Sequence, residues 1–234
     1  MKKLTMSLLA VLVVTSMQSL KAQTVDEIVN KHIAAIGGKE KLLSLKSVKK
    51  TGSINTEGFD VGVVVTAVNG VGSRNDITVP NMGEGFQITN ATKGWEFMPF
   101  MGQATPEAYS EGKVKFTQYL LDLQGLLVNY KEKGNQVELL GKEKVDTSEC
   151  YQLKITTKSG NIFTEFIDVA TGYNIKTIAK AANGEEEVVT NYSNFKKTAD
   201  GLVFPFSQTI PRGTINFSMI EVNQPVDETI FTSK

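Results

Sequence analysis

Apolar residues near the amino terminus recur at three- and four-residue spacing, which is typical of one face of an α-helix: Val25, Ile28, Val29, Ile33 and Ile36. In front of this stripe, Thr24 and Glu27 have the spacing of a capping box, in which each side chain bonds to the other's backbone N–H. Gly37 and Gly38 are expected to end the helix. A second short helix is predicted over 39–43.

From Val48 onward the apolar positions alternate with a period of two, which predicts β-strands. Turn sequences such as Asn69-Gly70 and Asn183-Gly184 separate the alternating segments. In the last segment, Ile215, Phe217, Met219 and Glu221 are expected on one face. About ten strands joined by short links predict an antiparallel meander that curls into a barrel, half-barrel or sandwich. The predicted strands are 48–54, 59–67, 86–88, 95–97, 151–156, 162–168, 175–180, 188–195, 203–210 and 215–221.

One segment interrupts the β pattern. Thr105 and Pro106 have the character of an N-cap followed by proline at the first helical position, which predicts a helix that continues to Leu127. The stripe along it includes Phe116, Leu120, Leu123 and Leu127, with so many further apolar residues that little polar face remains. Such a helix must be covered on most sides or must line an apolar space.

A cluster of aromatic and thioether side chains lies just before this helix, in a predicted loop. Methionine adapts to ligands of varied shape, so the loop and the helix together suit a lid over a binding cavity. The alternative for each side chain is ordinary core packing. The predicted ligand-binding residues are Trp95, Phe97, Met98, Phe100, Met101, Phe116, Leu120, Leu123 and Leu127.

The first residues have the pattern of a secretory signal peptide. Lys2 and Lys3 are followed by the apolar run 4–20, which is too short and too polar at its end for a membrane-spanning helix. We predict cleavage after Ala22, which gives a signal peptide at 1–22 and a single domain at 23–234. The mature chain is then expected in the periplasm, with no transmembrane segment.

The composition excludes several classes of chemistry. One cysteine and one histidine exclude an intramolecular disulfide, a Cys-based zinc site and a multi-His metal site. The mature chain has a slight excess of acidic side chains, so nucleic-acid binding is not expected. Cys150, on a predicted strand, and His32, on the first helical stripe, are interpreted as packed side chains, and Asp168 as a turn residue. No phosphate-binding loop or nucleophile motif is present, so neither an enzyme nor a cofactor is expected; a hydrolase with a carboxylate pair stays open.

Several short motifs, in order along the chain, resemble the family of secreted outer-membrane lipoprotein-sorting proteins of the LolA/LolB type. They span most of the predicted mature chain. The motifs are Val25-Asp26-Glu27-Ile28-Val29, Ala35-Ile36-Gly37-Gly38-Lys39-Glu40-Lys41-Leu42, Gly94-Trp95 with Pro99 and Gly102, Leu139-Leu140-Gly141-Lys142-Glu143, Cys150-Tyr151-Gln152-Leu153, Phe166-Ile167-Asp168 with Thr171-Gly172-Tyr173, Tyr192-Ser193-Asn194-Phe195, Asp200-Gly201, Phe204-Pro205-Phe206 and Asn223-Gln224-Pro225-Val226-Asp227.

The resemblance implies a strongly curved antiparallel sheet that forms an incomplete barrel, with helices covering its mouth. It also implies a carrier that receives acyl chains of an amphiphile or a lipoprotein in an apolar interior, and that contributes to lipoprotein sorting to the outer membrane. The family's carrier uses an arginine to latch the lid; here Arg74 and Arg212 are the only arginines, and the sequence leaves open whether either has that role. The alternative is an envelope protein-interaction or stress-sensor module whose partner is a protein and which carries no lipid.

Overall fold

The computed structural model describes residues 23–56, 59–184 and 186–233, so the predicted signal peptide at 1–22 lies outside the described residues. Helix α1 spans Val25–Ala35 and α2 spans Lys39–Leu43, as the sequence predicts. The capping box is confirmed, because the Thr24 hydroxyl accepts from the Glu27 N–H at 3.3 Å and the Glu27 carboxylate accepts from the Thr24 N–H at 2.8 Å. Gly37, with a φ of 128°, turns the chain out of α1.

In the described part of the chain, thirteen strands form one antiparallel sheet. β1 to β6 follow one another from the middle of the sheet to one edge, and β7 to β13 run back from the other edge to pair with β1. The edge strands β6 and β7 do not pair, so the barrel is incomplete. The strands are β1 Ser47–Thr56, β2 Phe59–Val68, β3 Gly72–Val79, β4 Gly83–Asn90, β5 Gly94–Phe97, β6 Glu107–Ala108, β7 Gln136–Val145, β8 Ser148–Thr156, β9 Ile162–Asp168, β10 Asn174–Lys180, β11 Glu187–Lys197, β12 Val203–Ile210 and β13 Gly213–Val222.

Three of these strands were absent from the predicted set, and each lacks a clean apolar alternation. β3 has Ser73 and Asn75 on one face and Arg74 and Asp76 on the other, so neither face is apolar. β7 is an edge strand whose pairing with β8 is irregular near Gly141, and many of its residues are exposed. β6 is two residues long and forms the other edge. Edge and polar strands give little hydrophobic signal because they bury little apolar surface.

The long helix predicted from Thr105 to Leu127 is wrong. Residues at its expected start pair with β5 as β6, and α3 begins later, at Glu111, with Ser110 as the N-cap. α3 spans only Glu111–Thr117 and continues as a 3₁₀ turn over Gln118–Leu121. Beyond it the chain leaves the helical conformation at Asp122 and reverses at Gly125, whose φ is 89°. The prediction was too long because apolar residues continue to Val128, whereas the helical conformation ends near Asp122.

The segment 109–135 carries the chain from one edge of the sheet to the other, since it joins β6 to β7. Its buried side chains include Phe116 and Leu127, which belong to the main hydrophobic core. α1 contributes Ile28 and Ile33 to the same core. This placement makes segment 109–135, together with α1 and α2, the cover of the curved sheet.

A bulge in β13 changes which residues face inward. Thr51 of β1 pairs with Met219 while Gly52 pairs with Phe217, so Ser218 is the extra residue. Inward-facing Phe217 is therefore followed by half-buried Ile220, and Met219 is 47% exposed. The predicted grouping of Met219 and Glu221 with Phe217 on one face is wrong for this reason.

Because Gly52 lies beside this bulge, we expect Gly52→Ala to lower the stability of the fold strongly. A Cβ at position 52 would overlap the backbone carbonyl oxygen of Asn216 and lie 2.8 Å from the Cα of Phe217. Because backbone cannot move aside without breaking the β1–β13 pairing, we expect a loss of about 3 kcal/mol in the free energy of unfolding, measured by urea denaturation.

Gly62→Ala is the matched control on the neighbouring strand. Its Cβ would meet the Cβ of Thr78 at 3.5 Å, an ordinary contact. Removing glycine's excess conformational freedom should then stabilise the protein by about 0.5 kcal/mol or leave it unchanged. Equal effects of the two alanines would contradict the role assigned to Gly52.

Candidate functional site

A cavity of about 800 Å³ lies between the concave face of the sheet and its cover. This volume is within the range of roughly 300–1,000 Å³ that is typical of small-molecule sites. The sheet contributes residues of β1 to β4 and of β9 to β13, and the cover contributes residues of α1, α2 and the segment 109–135. The cavity is therefore the interior of the incomplete barrel.

Much of the cavity wall is apolar. The cover and the sheet both contribute aliphatic and aromatic side chains, and no single element dominates. The apolar lining residues are Ile36, Leu42, Leu45, Val48, Val65, Ala67, Phe116, Leu120, Leu123, Leu126, Leu127, Val128, Val188, Phe195, Leu202, Val203, Phe204, Pro205, Ile210 and Ile215. Such a wall suits the hydrocarbon part of a ligand.

The structure brings four of the nine predicted ligand-binding residues to the cavity: Phe116, Leu120, Leu123 and Leu127. Phe116 and Leu127 are buried, and Leu120 and Leu123 are more accessible from the cavity side or from solvent. All four belong to the segment 109–135. The helical spacing that singled them out was only partly correct, but the apolar character of the segment indicated its position over the sheet.

The other five predicted residues lie outside the lining of this cavity. Trp95 pairs with Ile88 and Phe97 pairs with Phe86, so both project to the face opposite Gln87, which lines the cavity. Their contact with a ligand stays a prediction that this cavity does not support.

Met98, Phe100 and Met101 follow β5 directly. Met98 is buried and Phe100 is half-buried, and both pack beside Gly85 of β4, where an added Cβ would lie 3.0 Å from Met98 Sδ. Met101, in the 3₁₀ turn Pro99–Met101, is 63% exposed. Met98 and Phe100 therefore pack against the sheet locally, whereas Met101 is exposed to solvent.

Polar residues that the sequence did not single out line the wall formed by β1 to β4. Lys50, Val65, Asn75 and Gln87 are in register across these four strands. Asn75 Nδ2 donates to Gln87 Oε1 at 3.3 Å, whereas Asn75 Oδ1 is buried without a hydrogen-bond partner among the described residues. Because the inward-facing residues of β3 are polar, the pattern of apolar positions did not predict this strand.

The opposite wall carries a buried carboxyl group. Glu165 of β9 is 9% exposed, and burial, followed by the nearby charge of Asp122, raises its pKa to about 7. Asp122 also lines the cavity, and its two oxygens accept from Lys133 Nζ at 2.8 and 2.6 Å. Glu165 is therefore a group whose charge changes near neutral pH, facing a largely apolar space.

Lys50 is the corresponding group on the β1 wall. Burial lowers the pKa of its ammonium to about 8. Its Nζ lies 5.9 Å from the ring centroid of Phe204 and 5.6 Å from that of Phe217. At neutral pH this side chain is still predominantly charged.

The single histidine and the single cysteine contribute to packing and hydrogen bonding within the fold. His32 lines the cavity, but its Nδ1 bonds the carbonyl oxygen of Gly172 at 2.8 Å, which ties α1 to the turn between β9 and β10. Burial lowers the pKa of His32, so the ring is neutral at physiological pH. Cys150 is fully buried, and Asp168 accepts from the Thr171 N–H and hydroxyl, as predicted for a turn residue.

The two arginines differ in position. Arg74 donates to Asp76 at 2.7 Å and to the carbonyl oxygen of Ile230 at 3.1 Å, so it fixes the carboxyl-terminal 3₁₀ turn Glu228–Phe231 against the sheet. Arg212 is exposed and lines the cavity at the β12–β13 turn. Neither contacts the segment 109–135 through a hydrogen bond or ion pair in the part of the chain that the structure describes.

Within residues 23–56, 59–184 and 186–233, His, Cys, Asp and Glu side chains form no cluster of three that could hold a metal ion. Over the same ranges, every helix is too short or too polar to cross a membrane.

No protein-family model matches the chain, and no curated protein is similar to it in sequence. Solved structures with the same fold are nevertheless found. A LolA superfamily protein from Nitrosomonas europaea is 16% identical, with a TM-score of 0.53, over 90% of this chain and 98% of that one. A DUF1329 family protein from Desulfovibrio piger is 13% identical, with a TM-score of 0.56, over the same shares of the two chains.

An outer membrane lipoprotein-sorting protein domain from Vibrio parahaemolyticus is 15% identical, with a TM-score of 0.52, over 88% of this chain and 94% of that one. Each of these likenesses covers most of both chains, and at these identities they bear on the fold alone. The thirteen-stranded open sheet, its cover and the cavity between them therefore have the LolA-like fold, as the sequence motifs implied.

Proposed function

We propose that the protein is a periplasmic carrier that holds the alkyl or acyl chain of an amphiphile in the cavity beneath the segment 109–135. The observation that carries this proposal is the cavity of about 800 Å³, with apolar side chains from both the sheet and its cover. Residues Phe116, Leu120, Leu123 and Leu127 would contact the chain from the cover side.

Burial supplies the affinity in this proposal. Each methylene moved out of water contributes about 0.8 kcal/mol, so a chain of about ten methylenes gains enough to bind without a specific polar contact. An apolar wall also places few demands on the shape of the ligand, because dispersion and hydrophobic contacts are not directional. The cover must open for a long chain to enter, since the segment 109–135 spans the sheet from edge to edge.

The cellular setting is part of the proposal. Residues 1–22 have the sequence of a secretory signal, and we propose that 23–234 is the single exported domain. One solved structure with this fold is a lipoprotein-sorting protein domain, which supports lipoproteins bound for the outer membrane as one source of the acyl chain.

The test uses the exported protein as isolated from the cell envelope. We expect organic extraction to release a stoichiometric lipid, identified by mass spectrometry, and the delipidated protein to take up a fluorescent fatty acid in saturable fashion. No extractable lipid together with no uptake would overturn the proposal. A stoichiometric envelope protein captured by crosslinking, again without lipid, would instead support the interaction or sensor module.

A carboxyl pair in the cavity favours a second candidate, a hydrolase. Glu165 and Asp122 both line the cavity, and the raised pKa of Glu165 is a property that acid catalysts share. Binding is the better-supported function because Asp122 is already held by Lys133. We expect no turnover of a p-nitrophenyl acyl ester above background; turnover that is lost in Glu165→Gln would support the hydrolase.

A further inference from the structure

Lys50 lies on the cavity wall without a role in the binding of an alkyl chain. Its neighbours in register are Val65 on β2 and Ile220 on β13. The side chain is half-buried, and the rings of Phe204 and Phe217 flank its ammonium group. The ammonium is therefore held among apolar side chains at the edge of an apolar space.

Two other lysines beside the cavity have a counter-ion, whereas Lys50 has none among the described residues. Lys113 lies 3.1 Å from Glu96, and Lys133 lies 2.6 Å from Asp122. For Lys50, by contrast, the described ranges hold no carboxylate oxygen within 4.0 Å of Nζ. A desolvated charge without a partner is costly, and the lowered pKa of Lys50 has burial as its cause.

The remaining charged groups of the lining do not supply that partner. Asp122 is paired with Lys133, and neither Glu165 nor Glu186 forms an ion pair with Lys50 in the described ranges. Arg212 adds a further positive charge at the exposed end of the cavity. A ligand with a negative head group would therefore complete an ion pair that the protein itself leaves open.

We propose that the cavity selects amphiphiles with an anionic head group, a carboxylate or a phosphate, whose oxygen accepts a hydrogen bond from Lys50 Nζ while the alkyl chain lies against the apolar lining. This inference rests on the proposed function and adds a head-group specificity to it. Charge-assisted hydrogen bonds are the strong ones, and one made in a desolvated site discriminates against a neutral head of similar size.

The experiment compares probes that share one alkyl chain: hexadecanoate, hexadecyl phosphate and hexadecanol. Dissociation constants are measured by displacement of a neutral naphthylamine dye from the delipidated protein. We expect wild type to bind at least one anionic probe about tenfold or more tighter than hexadecanol. Lys50→Met should remove this preference without weakening hexadecanol, and Lys50→Arg should keep it.

Lys49→Met is the matched control, because Lys49 is the next residue of β1 and is exposed on the opposite face. It should leave every dissociation constant unchanged. Thermal unfolding of Lys50→Met should show a fold at least as stable as wild type, since an unpaired buried charge has been removed.

The outcomes separate the two proposals. Equal binding of anionic and neutral probes, or a preference that survives in Lys50→Met, would overturn the role of Lys50 while the carrier function stands. Binding of none of the three probes would overturn the carrier function itself. The tighter of the two anionic probes identifies the head group, and a preference for either one supports the inference.

Discussion

Val65→Trp should abolish most of the fatty-acid uptake that wild type shows. Val65 lies on the concave face of β2 between Lys50 and Asn75 and lines the cavity. An indole at this position extends into the space that a ligand would occupy. If it displaces about four methylenes, each worth about 0.8 kcal/mol, the loss is about 3 kcal/mol, or about a hundredfold in the dissociation constant.

The measurement is titration of the delipidated variant with a fluorescent fatty acid, alongside Met219→Trp as the control. Met219 is exposed on the outer side of the neighbouring part of the sheet, because of the bulge in β13. A tryptophan there adds the same apolar surface without entering the cavity, and uptake should stay at the wild-type level. Undiminished uptake by Val65→Trp would show that the fatty acid binds elsewhere.

Glu165→Gln should stabilise the protein at alkaline pH and leave its stability unchanged at acidic pH. The raised pKa means that the folded state holds the proton more tightly than the unfolded chain does. Below the ordinary value of 4.5, both states are protonated and the group has no net effect. Between 4.5 and about 7 the unfolded chain releases the proton while the folded state keeps it, so stability is lost over this range and the loss is complete once the buried carboxyl has ionised.

The difference between the two pKa values corresponds to about 3 kcal/mol once the group is fully ionised in both states. Urea denaturation of wild type and Glu165→Gln at about pH 4 and about pH 8 measures it. Glu132→Gln is the control, since Glu132 is exposed and in no ion pair within the described residues. A gain in Glu165→Gln that is the same at both pH values would show that charge is not its cause.

This titration also bears on the ligand. Asp122 and Tyr192 both lie near Glu165, and all three groups line the cavity. An ionised carboxylate there would favour water in the cavity and oppose an alkyl chain, because a charge retains its hydration. Uptake of the neutral probe hexadecanol should therefore weaken as pH rises through about 7, and Glu165→Gln should remove the change.

Helix α1 could be predicted from the sequence because the signals that start and end it are local. The capping box of Thr24 and Glu27 and the terminating Gly37 depend on residues a few positions apart, and helix α1 follows the prediction closely. Strands β8 and β9 were equally clear, since each buries an alternating set of side chains such as Leu153, Ile155 and Phe163. Local periodicity is enough where one face of an element is buried in an apolar core.

The cavity wall was not readable in the same way. Asn75 and Gln87 face the interior, yet a polar residue in an alternating pattern is predicted to face solvent. Trp95 and Phe97 are the opposite case, since their apolar character suggested a binding site and the register with β4 turns them to the other face. Which side of a strand faces inward is decided by pairing across the whole sheet, not by the side chain alone.

The sequence by itself therefore determined helices α1 and α2, ten of the thirteen strands, their antiparallel meander and the apolar segment near Phe116 and Leu127 that covers it. Only the tertiary structure decided that β1 pairs with β13, that a bulge beside Gly52 shifts the phase of β13, and that Lys50 and Glu165 face a shared cavity. The physical reason is that the periodicity of apolar residues shows only which face of a single helix or strand is buried. A cavity is made by residues far apart in the chain, whose common surroundings appear only when the sheet curves.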